Sequence, residues 1–63
     1  MEWKSIKEEG PPEAVVSNLL LYSEQEDEYA LGYFAGTEFQ CDEESMYYIE
    51  DCISHYMEIV QPK

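Results

Sequence analysis

Leu19-Leu20-Leu21-Tyr22, Tyr29-Ala30-Leu31-Gly32-Tyr33-Phe34 and Glu38-Phe39-Gln40-Cys41 are three short runs separated by connectors that cannot continue a strand. The first is apolar throughout and reads as a central strand, with Ser17 and Asn18 marking an irregular start. In the second, Gly32 marks a bulge or a close approach of another backbone. The third alternates polar and apolar, as a strand with one buried face does. Glu24-Gln25-Glu26-Asp27-Glu28 joins the first two as a charged hairpin loop, and Ala35-Gly36-Thr37 is a short turn before the third. This antiparallel meander sets the fold class as mainly β: a small single domain, residues 1–63, with a three- to four-stranded antiparallel sheet.

Outward from the meander the signals weaken. Residues 2–7 form a short arm whose Trp3 and Ile6 can both reach the core, with Trp3 packed against the sheet. Glu8-Glu9-Gly10-Pro11-Pro12-Glu13 is a turn or extended loop, because paired prolines exclude a regular ladder or helix interior. The C-terminal third supports two readings. Asp42, Glu43 and Glu44 resemble a helix start, and Met46, Ile49, Ile53, Tyr56, Met57 and Val60 follow helical spacing. That alternative is an α+β domain with a helix over about residues 43–57. The run Cys52 to Val60 is equally rich in strand formers.

Charge is the second strong signal. The 63 residues carry fifteen carboxylates and three lysines, for a net charge of -12. From Glu8 to Pro62 there is no lysine or arginine, while fourteen of the fifteen acids lie in that stretch. Even if every lysine took one partner, twelve carboxylates would lack a cation from their own chain. Such self-repulsion destabilises a compact state and exceeds what solubility requires. Disordered acidic tails are poor in aromatic residues, whereas this chain is 44% hydrophobic with six tyrosines, two phenylalanines and a tryptophan. The composition therefore indicates a folded domain with an acidic surface.

The chain opens on Met1 and reads as a complete small gene product without a secretory signal, which points to the cytoplasm and to reduced thiols at Cys41 and Cys52. A cysteine nucleophile requires an electropositive setting, so the acidic field disfavours a Cys52–His55 pair, and lone His55 reads as a packed or surface residue. Cys41, Cys52 and His55 lack zinc-ligand spacing, and neither acidic run has the spacing of a calcium loop. Paired carboxylates for glycoside hydrolysis need a cleft that a domain this small can hardly hold. No phosphate-binding glycine loop is present, and direct nucleic-acid binding is electrostatically excluded. The expectation is a protein that is not an enzyme and uses no cofactor or metal.

The two ends of the chain carry a further signal. Trp3-Lys4-Ser5-Ile6 and Ser54-His55-Tyr56-Met57 resemble the W-I-S-V opening and T-H-W-M-P-L-P closing motifs of a small, mostly phage- and prophage-encoded group, domain-of-unknown-function family 551. Leu19-Leu20-Leu21-Tyr22 and Gly32-Tyr33-Phe34 stand where such members carry V-L-V-Y and G-Y-Y strands. Tyr56 replaces the tryptophan of the closing motif, and Glu58 and Val60 replace its internal prolines. The resemblance implies a β-rich domain whose closing motif is a strand near residues 53–59, and an origin on a mobile element. It implies no catalytic residues.

Charge density supplies the functional expectation. A compact chain of this length has a radius of gyration near ~11 Å and spans roughly 27 Å; duplex DNA of that length carries on the order of 16 charges. The expected activity is that of a phage or mobile-element inhibitor mimicking nucleic acid, which blocks the cationic DNA-binding groove of a host defence protein. A CRISPR effector comes first, in an anti-CRISPR role, with a restriction enzyme as the other target class. The partner-binding surface comprises Glu24, Glu26, Asp27, Glu28, Glu38, Asp42, Glu43, Glu44, Glu50 and Asp51. Two alternatives stand beside it: a small acidic protein-interaction module without an inhibitory role, and a divalent-cation binder.

Overall fold

The computed structural model describes residues 2–59. Its elements are β1 (Lys4–Ser5), a single helical turn α1 (Ile6–Glu9), β2 (Val16–Ser23), β3 (Glu28–Phe34), β4 (Phe39–Cys41), a 3-10 helix (Glu44–Cys52) and β5 (His55–Glu58). The strands form one antiparallel sheet in the order β1-β5-β2-β3-β4. The mainly β class and the meander are as expected. The sheet has five strands instead of three or four, because the N-terminal arm contributes the two-residue β1 beside β5.

The ambiguous C-terminal third divides between its two readings. Residues 44–52 are helical, but of the 3-10 type, and His55–Glu58 is the closing strand. With 3.0 residues per turn, Met46, Ile49 and Cys52 fall on one stripe, which packs onto the sheet with Ile49 fully buried. Tyr47, Tyr48 and Asp51 face solvent. Tyr56 and Met57, which the helical spacing had grouped with this stripe, belong to β5 and lie on opposite faces of it; Val60 lies outside the described residues.

Alternation sorts the strands into two faces. Leu19, Leu21, Ala30, Phe34, Phe39, Cys41 and Tyr56 point to the core beneath the helix. Neighbouring strands lie about 4.8 Å apart, so the three steps from β5 to β4 should separate Tyr56 from Phe39 by roughly 14 Å on a flat sheet. Their ring centroids are 5.5 Å apart. The sheet therefore curls around its core, and small Ala30 and Gly32 between them leave the room.

Gly32 serves close approach and not a bulge: it pairs in register with Leu19 and Cys41. A Cβ there would collide with the Gln40 carbonyl oxygen and come within 2.8 Å of Leu21 Cδ1. Gly32→Ala should cost about 3 kcal/mol of stability by overpacking, read as a lowered midpoint in urea. The irregularity of β2 lies at its start, where the register shifts between Val16 and Leu19 and Asn18 adopts φ 58°.

The arm departs from expectation in two ways. It continues from β1 into α1, closed by a Gly10 N–H bond to the Ile6 carbonyl at 2.9 Å, with Gly10 at φ 78°. Ile6 does pack on the core; Trp3 packs against the sheet as expected, its ring 6.0 Å from those of Tyr22 and Tyr29, but on the face away from the core, where it remains 41% exposed. Register explains this: Ser5 pairs with His55 and Lys4 with Tyr56, so alternation turns Trp3 to the His55 side. The proline loop that follows is held where Tyr56 donates its hydroxyl to the Gly10 carbonyl at 3.1 Å. Tyr56→Phe should cost about 1 kcal/mol and speed amide exchange at Gly10 and at residues 13–15.

Candidate functional site: an acidic end and an open aromatic face

The hairpin loop of residues 24–27 is tied down despite its charge. Glu26 N–H donates to Ser23 Oγ at 3.3 Å, Glu24 N–H donates to Ser54 Oγ at 2.9 Å, and Tyr22 donates its hydroxyl to Asp27 Oδ1 at 3.0 Å. Asp27 adopts φ 52°, a left-handed conformation that Asp and Asn tolerate better than most residues. These bonds hold Glu24, Glu26, Asp27 and Glu28 at one end of the sheet, all four exposed.

The second acidic run lies on the same half of the molecule. Asp42 N–H donates to the Leu31 carbonyl at 2.9 Å, so the chain leaves β4 heading toward the hairpin end. The 3-10 helix then crosses beneath the sheet there, and Cys52 Sγ reaches Ser23 Oγ at 3.1 Å. Tyr48 on this helix is close enough to the loop that burial, then Glu28 and Glu26, push its hydroxyl above the ordinary tyrosine value. Glu24, Glu26, Asp27 and Glu28 thus share the hairpin end, while Asp42, which bonds opposite Leu31 in the middle of β3, and the exposed Glu43, Glu44 and Asp51 follow along β4 and the helix. Glu38 sits at the opposite end, in the β3–β4 turn, where it accepts from Gln40 Nε2 at 3.2 Å.

Glu50 is placed differently from the others. It is half-buried, and its Oε2 accepts the Cys41 backbone N–H at 2.6 Å, fastening the helix to the edge strand β4. This carboxylate joins two elements of the fold.

The thiols are both free. Burial, then Glu50, Asp42 and Glu43, push the Cys41 thiol up to about 11, so it stays protonated at neutral pH. Cys52 and His55 do not pair: Cys52 packs on the core side, bonded to Ser23 and to the Ile49 carbonyl. His55 lies on the other face, with Nδ1 2.9 Å from Ser54 Oγ. Among the described residues no three His, Cys, Asp or Glu side chains are grouped to hold a metal ion, and no helix is long and apolar enough to cross a membrane.

The sequence offers six tyrosines as amphipathic interface anchors but does not show that Tyr22, Tyr29 and Tyr33 share the second sheet face. Leu20 pairs with Leu31 and Met57, Tyr22 with Tyr29 and His55, and Tyr33 with Gln40. Among the described residues no element covers this face; Tyr29 is 57% and Leu31 46% exposed. At its hairpin end the rings of Trp3, Tyr22 and Tyr29 cluster, with centroids 6.0, 6.0 and 4.7 Å apart, and His55 lies 6.0 Å from Tyr22. These four residues line a cleft of about 320 Å³.

No protein-family model, curated protein or solved structure matches this chain.

Proposed function

We propose that this protein is a non-catalytic inhibitor of mobile-element origin that acts in the host cytoplasm as a nucleic-acid decoy. It occupies the cationic DNA-binding groove of a host defence protein, a CRISPR effector in the first place and a restriction enzyme in the second. The observation that carries the reading is a net charge of -12 on a domain with three lysines in all, with exposed carboxylates along the hairpin loop, at Asp42, Glu43 and Glu44, and at Asp51. The protein extends 31 Å along its longest axis. Duplex DNA of that length carries on the order of 18 charges, comparable to the net charge of -12 here. A groove shaped for that density of phosphate supplies the missing cations.

Competition tests it. Added to a purified CRISPR effector holding duplex with its short recognition motif, the protein should release the duplex at low salt and lose its hold steeply toward physiological salt. The same assay on a restriction enzyme separates the two target classes. Failure to displace DNA from either at low salt rejects the decoy reading for those targets.

The uncovered sheet face favours a second reading, a protein-interaction module whose acidity serves solubility. Such a module binds its partner through Leu31, Tyr29 and Trp3 with little dependence on salt, and leaves DNA in place.

A further inference from the structure

We infer that the cleft between Trp3, Tyr22, Tyr29 and His55 is a binding site for a guanidinium group, the side chain of an arginine presented by a partner protein. The face around it has large exposed aromatic and aliphatic side chains, and such a surface at the end of a folded sheet marks an interaction site. Charge decides what covers it. A second copy of this chain brings another net charge of -12, and nucleic acids and membrane surfaces are also anionic. A cationic group is attracted both by the ring faces, whose quadrupole is negative, and by the carboxylates beside them.

Those carboxylates are specific. Asp27 sits at the rim, accepting the Tyr22 hydroxyl at 3.0 Å. The Tyr22 hydroxyl is pushed up by that bond first, then by burial and by the charges of Asp27, Tyr29 and Glu24. Lys7 and Glu24 share an adjoining hollow with His55, so one lysine offsets part of this field and leaves Asp27 on the cleft side.

Shape selects the cation. With centroids 4.7 to 6.0 Å apart, the three rings pack against one another and leave no hole between them to enclose a spherical ammonium. A ligand lies across the ring faces instead. The guanidinium is planar, stacks on aromatic faces and offers its edge to a carboxylate in the same plane. The cleft volume of about 320 Å³ is at the lower limit of ligand sites, enough for one side chain. The site stands on ring geometry and does not rest on the decoy reading.

Trp3 is the sole tryptophan, so its emission reports on the cleft directly. The intact protein is titrated with acetylated, amidated tri-arginine, with tri-lysine of equal charge, and with tetramethylammonium. Tri-arginine should change Trp3 emission saturably and bind at least about fivefold tighter than tri-lysine. Tyr29→Ala, at an exposed position, should weaken tri-arginine about tenfold. Tyr29→Leu keeps apolar cover on the strand while removing the ring, and should weaken it likewise. Equal binding of the two peptides, tetramethylammonium binding as tightly as tri-arginine, or unchanged affinity in the folded Tyr29 variants overturns the inference. No DNA-binding protein is present in this titration. Its failure leaves the decoy reading standing, and failure of the DNA competition leaves this site standing.

Discussion

Ile49→Ala should lower the unfolding free energy by about 4 kcal/mol and leave the protein largely unfolded at 37 °C. Ile49 is the one fully buried side chain of the 3-10 helix, and Met46 and Cys52 beside it are only partly covered. A 3-10 helix of nine residues has poorer hydrogen-bond geometry than an α-helix and is longer than such helices usually run. Its hold on the sheet therefore depends on this side chain, on the Glu50 bond to Cys41 and on the Cys52 contact with Ser23. A domain of this size has a total stability of only about 3 to 9 kcal/mol, and surplus negative charge reduces it further. Thermal and urea unfolding check the effect, with Tyr47→Ala as the exposed control expected to stay within about 0.5 kcal/mol of the parent. A near-native melting temperature for Ile49→Ala would mean that the helix does not close the core.

The strands were legible where composition and connectors agreed. Leu19-Leu20-Leu21-Tyr22 announced the central strand, and the charged loop and the Gly36 turn bounded its neighbours. The helix type was not legible. Met46, Ile49 and Ile53 fit an α-helical stripe as well as Met46, Ile49 and Cys52 fit a 3-10 stripe, and only packing against a curled sheet separates the two. Beyond residue 52 the helical reading continued along Ile53, Tyr56 and Met57 because any mixed apolar run contains such spacings by chance. The pairing of residues 55–58 with β2 is a long-range contact, and no local pattern encodes it.

The candidate site was half legible. Charge counting found the carboxylates but did not decide whether they form separate poles or one edge; Glu38 lies in the β3–β4 turn, away from the hairpin loop. Glu50, counted with the acidic surface, is half-buried and accepts the Cys41 amide. The aromatic face left a signal that could have been used. A central strand apolar at four consecutive positions presents apolar side chains to both faces, while among the described residues one helical segment is long enough to cover one of them. Tyr29, Leu31 and Tyr33 at alternate positions continue that second face.

Neutralising Glu26, Asp27 and Glu28 to their amides, or Asp42, Glu43 and Glu44 to theirs, should raise stability while weakening partner binding about a hundredfold. The binding estimate takes about 1 kcal/mol or more for each well-placed carboxylate. Stability rises because four carboxylates within five residues repel one another at the hairpin, and added salt should stabilise the parent more than either variant. The amides keep the local geometry: asparagine at position 27 tolerates the φ of 52° as well as aspartate does, and its carbonyl oxygen still accepts the Tyr22 hydroxyl. Any loss of affinity is therefore a loss of charge. Glu38→Gln, at the far end of the sheet, should bind as the parent does, which locates the groove contact at the hairpin end. The variants should also show a shallower dependence of affinity on salt, since fewer charges remain to be screened. Stability raised with binding lost is the mark of charge retained for a partner. If both amide triplets hold the partner as tightly as the parent across the whole salt titration, the acids are not the contact surface and the decoy reading gives way to the interaction module.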